Sequence, residues 1–203
     1  MSGTACHPKL EERRVVFVAL FSGINVGGNR IVQMAELRAL FEALGFTDVA
    51  SYVQSGNVVF RTKKGDAATL AKQIEMAFEK KWGFHSRIMV RDLSWFERLV
   101  KENPYPEVAG DPTKLHAYTL ERQPTADEIA RLAEKCTGPE SFEVRDDVLY
   151  LKAPDGLGKS VFANLIPRVL KVPGTARNGG RCWRCCRWRV RFESLRSALR
   201  LRC

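Results

Sequence analysis

The chain has 203 residues, 45% hydrophobic and 28% charged, with a formal net charge of +10. That composition excludes disordered and fibrous classes, and the length suits one domain or two small ones whose folding hides roughly 70% of the unfolded surface. No apolar run approaches the ~20 residues of a membrane-spanning helix, and residues 1–14 lack an apolar h-region, so neither a membrane partner nor a secretory signal is expected, and a cytoplasmic location is.

Arg14–Phe21 (RVVFVALF) is a continuous β-branched and aromatic run, which predicts a buried strand. Ser22–Arg30 is a glycine-rich loop. Between Gln33 and Leu44 the apolar residues Met34, Leu37, Leu40, Phe41 and Leu44 recur at i, i+3, i+4 spacing and predict an amphipathic helix stopped by Gly45. Val49–Val53 and Val58–Phe60 read as strands joined at Ser55-Gly56-Asn57. Ala67–Trp82 reads as a helix ended by Gly83, and Ser86–Val90 as a fourth strand. The order β-α-β-β-α-β is the split-βαβ, ferredoxin-like one.

A helix over Leu93–Lys101 follows, broken by Asn103-Pro104-Tyr105-Pro106, and Gly110-Asp111-Pro112 marks a boundary. Lys114–Leu120 then reads as a strand and Thr125–Lys135 as a helix, with Thr125 and Glu128 spaced as a capping box. Phe142–Val144 and Val148–Leu151 form a hairpin turning at Asp146-Asp147, and Ser160–Val169 is a helix interrupted by Pro167. The second half thus reads β-α-β-β-α, a structural duplication without visible sequence repetition. The expected class is α+β, with two ferredoxin-like subdomains packed together. These are residues 14–91 and 113–178, with a linker helix and loop at 92–112 and an atypical tail at 179–203.

The tail differs in composition from the rest. It holds eight arginines and one acid, Glu193, for a net +7, whereas the other 178 residues carry +3. It also holds Cys182, Cys185, Cys186 and Cys203, with Trp183 and Trp188. Three readings compete. Cys182-x-x-Cys185-Cys186 is half of a zinc or redox pattern, but no second CxxC or His pair follows, so no metal is expected. An Arg/Trp strip suits RNA through phosphate contacts and stacking. The third reading is translation out of frame. Read from the third base of each codon, with CGN arginines, Cys182-Trp183 gives Leu, Trp183-Arg184 Ala, Cys185-Cys186 Leu and Trp188-Arg189 Ala, while Gly179-Gly180 permits Trp. The shadow is an apolar helix-forming stretch. Any Cys/Trp/Arg-rich run casts such a shadow; its join to Thr175-Ala176-Arg177-Asn178 favours a frameshift near Asn178.

Gly23-Ile24-Asn25-Val26-Gly27-Gly28-Asn29-Arg30 lies between a strand and a helix, where backbone N–H groups hold anions. It matches neither GxGxxG nor GxxxxGK[ST], so no nucleotide fingerprint is present and no cofactor is expected. Asp155-Gly156-Leu157-Gly158-Lys159-Ser160 ends like a Walker loop but has Ala153 where the first glycine belongs, and reads as a turn with Ser160 as N-cap. Asp146 and Asp147 read as turn residues, and His85 and His116 as strand residues with no nucleophile nearby in sequence.

Phe17–Phe46, carrying GINVGG and then MAEL, together with the QSGN turn of Tyr52–Phe60, closely resembles the bacterial family catalogued as domain of unknown function 1697. The likeness continues more weakly through Asn103-Pro104, Tyr150–Gly158 and Thr175–Asn178. The resemblance implies two packed α+β subdomains and no established activity. It also implies that Thr-x-Arg-Asn continues into Trp and an apolar helix, which the shadow frame supplies. Val32 stands where Pro is common in the family, and Ser22 where it usually has Arg; if that Arg binds an anion, Ser22 removes it and weakens an anion site at this loop.

The polar, glycine-bearing segments cluster at strand ends. The expected function is therefore binding of a small anionic or polar ligand by Asn25, Gly27, Gly28, Arg30, Gln54, Ser55, Asn57, Arg177 and Asn178, with the two arginines as the anion contacts. The alternatives are a single-stranded nucleic-acid module, disfavoured if the tail is out of frame, and a non-catalytic protein-interaction domain. No residue pattern assigns a reaction.

Overall fold

The computed structural model describes residues 14–26, 28, 30–52, 56–63, 65–108, 111 and 113–178. The Cys182–Cys186 pattern and the frameshift reading of the tail lie outside them. In the first half, β1 (Val15–Phe21) is central: it pairs antiparallel with β3 (Asn57–Thr62) and with β4 (Ile88–Asp92). β2 (Thr47–Tyr52) pairs with β3, so the sheet order is β2-β3-β1-β4.

Successive strand side chains point to opposite faces. Phe17, Ala19 and Phe21 meet Leu37 and Phe41 of α1 (Met34–Ala43) and Leu70, Ile74 and Phe78 of α2 (Ala67–Trp82). Val18 and Leu20 point the other way, into a second apolar cluster with Ala117, Val148 and Tyr150 of the second half. Both faces of β1 are covered, and this is why its sequence is apolar throughout rather than alternating.

The second half repeats the plan. β5 (Leu115–Leu120) is central, α4 (Ala126–Ala133) and α5 (Val161–Leu170) cover one face, and β6 (Ser141–Arg145) pairs with β7 (Val148–Lys152). The sheet order is β6-β7-β5-β8, the same as the first. The fourth strand, β8 (Gly174–Asn178), is absent from the sequence reading, which ends the half at a helix. Gly174-Thr-Ala-Arg-Asn178 contains one β-branched residue, so its extended state comes from the antiparallel ladder with β5, from Leu120↔Gly174 to His116↔Asn178, and not from propensity. The capping box is present: Thr125 Oγ1 accepts from the Glu128 N–H, and Glu128 accepts from the Thr125 N–H at 2.8 Å.

α3 (Leu93–Lys101) packs Trp95, Phe96 and Leu99 into the cluster between the sheets. The Tyr150 hydroxyl donates to the Leu99 carbonyl at 2.9 Å. Asp147, at the β6–β7 turn, joins the halves. It accepts from Arg91 Nε of β4 at 3.0 Å and from the Trp95 indole N–H at 2.8 Å, while Arg91 Nη2 also donates to the Leu120 carbonyl at 2.8 Å. Its neighbour Asp146 has φ 49°, which turns its carboxylate outward to Arg98 at 3.3 Å.

Exposure separates these two acids. The Arg91 and Asp147 side chains are 17% and 23% exposed, those of Arg98 and Asp146 52% and 64%. Asp147→Ala strands a half-buried guanidinium and an indole N–H, and is expected to cost about 2–3 kcal/mol by denaturant unfolding. Asp146→Ala is expected to cost under about 0.5 kcal/mol; equal losses would refute the distinction.

His116 on β5 is 6% exposed, and its Nδ1 has no hydrogen-bond partner among the described residues. Burial holds its pKa below the ordinary 6.5. The unfolded chain therefore takes up the proton first, and stability falls as pH drops below about 6.5 towards the lower folded value. Denaturation midpoints measured between pH 7.5 and 5 are expected to show this loss, and His116→Leu to flatten it.

Candidate functional site

The predicted polar segments meet at the C-terminal end of β1. Phe21 N–H donates to the Gly56 carbonyl at 2.9 Å, and Ser22 N–H to the Arg87 carbonyl at 2.9 Å. The Ser86 hydroxyl donates to the Ser22 carbonyl at 2.8 Å. Gly56 has φ 69°, and a Cβ there would sit 2.8 Å from both Ile24 Cδ1 and Phe21 Cβ. The QSGN turn therefore needs glycine twice over, for its left-handed backbone and for the close approach of the buried Ile24. Ile24, Phe21 and Gly56 are parts of one packed junction.

Asn25 closes its own loop. Its Oδ1 accepts from the Val32 N–H at 2.7 Å, its Nδ2 donates to the Val32 carbonyl at 3.0 Å, and its N–H donates to the Arg30 carbonyl at 3.1 Å. Asn25 and Arg30 both take positive φ, 54° and 52°, at the two ends of this clamp. The Arg30 guanidinium carbon stands 5.4 Å from the Phe84 ring centroid. Gly28, φ 77°, has open space where a Cβ would be.

Asn57 and Arg177 are 120 positions apart in sequence and touch. Asn57 Oδ1 accepts from Arg177 Nε at 2.9 Å. Arg177 also donates to the Phe21 carbonyl at 2.6 Å, to Thr175 Oγ1 at 2.6 Å and to the Ala176 carbonyl at 2.9 Å. Its guanidinium is thus engaged with protein acceptors from both halves. Asn57 is 1% exposed, yet its Nδ2 has no partner among the described residues. A buried donor in that state costs roughly 1–3 kcal/mol unless something accepts from it.

The structure brings Asn57, Arg177 and the Gly23–Arg30 loop to one end of the first sheet. It does not bring the Asn178 side chain there: Arg177 is in register with Ala117, on the face towards the first sheet, so Asn178, opposite His116, points to the other face. Gly27, Gln54 and Ser55 lie outside the described residues.

Other candidates resolve locally. Asp155 lies in a turn that leads through Gly156, at φ 85°, into a single 3-10 turn over Leu157–Lys159, and the Ser160 hydroxyl accepts from the Ala163 N–H at 3.0 Å as the N-cap of α5. This segment lines a cavity of about 290 Å3 with Lys135, Glu140 and Phe162. His85 lies in the coil before β4, 3.6 Å from Glu79, rather than in a strand. Among the described residues no group of three His, Cys, Asp or Glu is placed to hold a metal ion, and no helix is long and apolar enough to cross a membrane.

What sequence reasoning missed is Asp147 as the acceptor between the halves; the nearest signal was its place in a hairpin turn after a strand. No curated protein matches the chain. Among solved structures, the conserved bacterial protein SP0830 from Streptococcus pneumoniae shares the fold with a TM-score of 0.65 and 22% identity, covering 86% of this chain and 98% of that one. The family model described as "Protein of unknown function (DUF1697)" matches residues 15–150, more than half of the sequence, and the chain belongs to that family.

Proposed function

We propose that the protein binds a small polar or anionic ligand at the C-terminal end of β1, between the Gly23–Arg30 loop and the Asn57–Arg177 contact. The observation that carries this reading is the Asn57 carboxamide. Its oxygen is held by Arg177, and its buried N–H2 donor has no acceptor among the described residues. A ligand carboxylate, carbonyl or phosphate oxygen would supply one. Arg30, against Phe84 at the mouth of the loop, supplies positive charge. Arg177 acts as the group that holds Asn57 in place.

The nucleic-acid alternative finds little support. Single-strand readers stack bases on an open sheet face, whereas the first sheet is covered on one side by α1 and α2 and on the other by the second half. A protein-contact role has one observation in its favour: Val26 and Ile31 of the same loop are 66% and 71% exposed.

Asn57→Asp keeps an acceptor for Arg177 Nε and replaces the unpartnered donor with a second acceptor. Thermal-shift screening against small carboxylates, amides and phosphate esters is expected to find a stabilising class. Asn57→Asp is expected to weaken its binding by about tenfold or more, one hydrogen bond to a charged group, with the fold intact by circular dichroism. If Asn57→Asp and Arg30→Ala both bind every hit as the unaltered protein does, the reading fails. Loss of a protein contact in a Val26→Glu, Ile31→Glu variant that still binds the ligand would assign the loop the second role.

A further inference from the structure

The second half carries a cavity of about 290 Å3 between the α4–β6 connection and the β7–α5 connection. It shares no residue with the site at the end of β1. Its floor is apolar: Ala153 and Phe162, 1% and 3% exposed, belong to the core that α4 and α5 cover. Arg177 lies on the other face of the same sheet, where it reaches the first half.

Four charged residues line this cavity, two of each sign. The α4–β6 connection supplies Lys135 and Glu140, and the β7–α5 connection supplies Asp155 and Lys159, so each loop brings one cation and one anion. Among the described residues none of the four makes an ion pair. Elsewhere cations sit beside carboxylates: Arg87 with Glu121, Arg122 with Glu128 and Lys152 with Glu107.

Glu140 is fixed in place. Its Oε1 accepts from the Ser160 hydroxyl, and Ser160, 5% exposed, is itself held as the N-cap of α5. A Cβ at Gly138 would collide with Glu140 Oε2, so the glycine makes room for the carboxylate. Oε2 accepts no hydrogen bond among the described residues. The cavity therefore presents a positioned acceptor, a second carboxylate and two ammonium groups over an apolar floor.

That charge pattern selects a ligand class. A simple anion here would meet two carboxylates, and a simple cation two ammonium groups, and like charges repel at such range. A ligand with both signs on neighbouring atoms finds an opposite partner for each. The volume is at the small end for ligand sites, which suits a molecule of amino-acid size. We propose that this cavity binds a free α-amino acid with an apolar side chain. The ligand carboxylate pairs with Lys135 and Lys159, and its ammonium with Glu140 Oε2 and Asp155, through charge-assisted hydrogen bonds. The side chain lies on Ala153, Phe162 and Leu165.

Titration calorimetry of the full chain with L-leucine, L-methionine and L-phenylalanine in turn tests this. Saturable binding of at least one is expected. The N-acetyl derivative of that amino acid, which lacks the ammonium, and its amide, which lacks the carboxylate, are each expected to bind at least about tenfold more weakly. Lys135→Ala with Lys159→Ala, at two exposed positions, is expected to weaken binding by a similar factor. So is Glu140→Gln, which keeps an acceptor for the Ser160 hydroxyl. Asn57→Asp is expected to leave this binding unchanged, which separates it from the site at the end of β1. Absence of saturable binding by all three amino acids overturns the proposal. So does equal affinity for the acetylated or amidated form, or for the double lysine variant. Loss of binding in Asn57→Asp alone would also overturn it, by assigning the amino acid to the other site.

Discussion

Each sheet of this protein has one face covered by its own pair of helices and one face left apolar, and neither half is complete until the two apolar faces meet. The hydrophobic attraction between them is large but non-directional. Direction comes from a few polar contacts at the seam. The Asp147 carboxylate receives the Arg91 guanidinium and the Trp95 indole, and at the other side Arg177 reaches Asn57 and the Phe21 carbonyl. The first contact ties the β6–β7 turn to β4 and α3, and the second ties β8 to β1 and β3. Together they fix how one ferredoxin-like unit sits on the other, and so which residues share the end of β1.

Much of the fold was legible in the sequence because the buried elements announce themselves locally. The apolar run of Val15–Phe21, the i, i+3, i+4 spacing of α1, Gly83 after α2 and the Thr125/Glu128 box are all short-range patterns with direct physical meaning. β8 was not legible, because a strand made by its neighbour's hydrogen bonds carries no signal of its own. α3 was legible as a helix but not as part of the core: amphipathicity says that a face is buried, not against what. Asp147 looked like its neighbour Asp146, and only the third dimension separates an acceptor at a seam from a solvated turn residue.

The candidate site follows the same logic. Residues that read as polar and available proved to be of two kinds. Asn25 builds the glycine-rich loop by hydrogen-bonding the backbone of Val32, and Arg177 is engaged by protein acceptors of both halves. Asn57 is held in place and left with a donor to offer. The pairing that distinguishes it, with a residue 120 positions away, has no trace in local sequence.

Among the described residues β8 is the outermost strand of the second sheet, and it also seals the flank of β5. A chain interrupted before residue 174 would keep every helix and seven of the eight strands described here, yet it would leave the central strand of the second sheet with a bare row of backbone donors and acceptors. Such an edge is a template for pairing with another copy. The five residues of β8 thus protect solubility as well as completing a sheet, and damage at this end of the chain would be felt first as self-association rather than as loss of secondary structure.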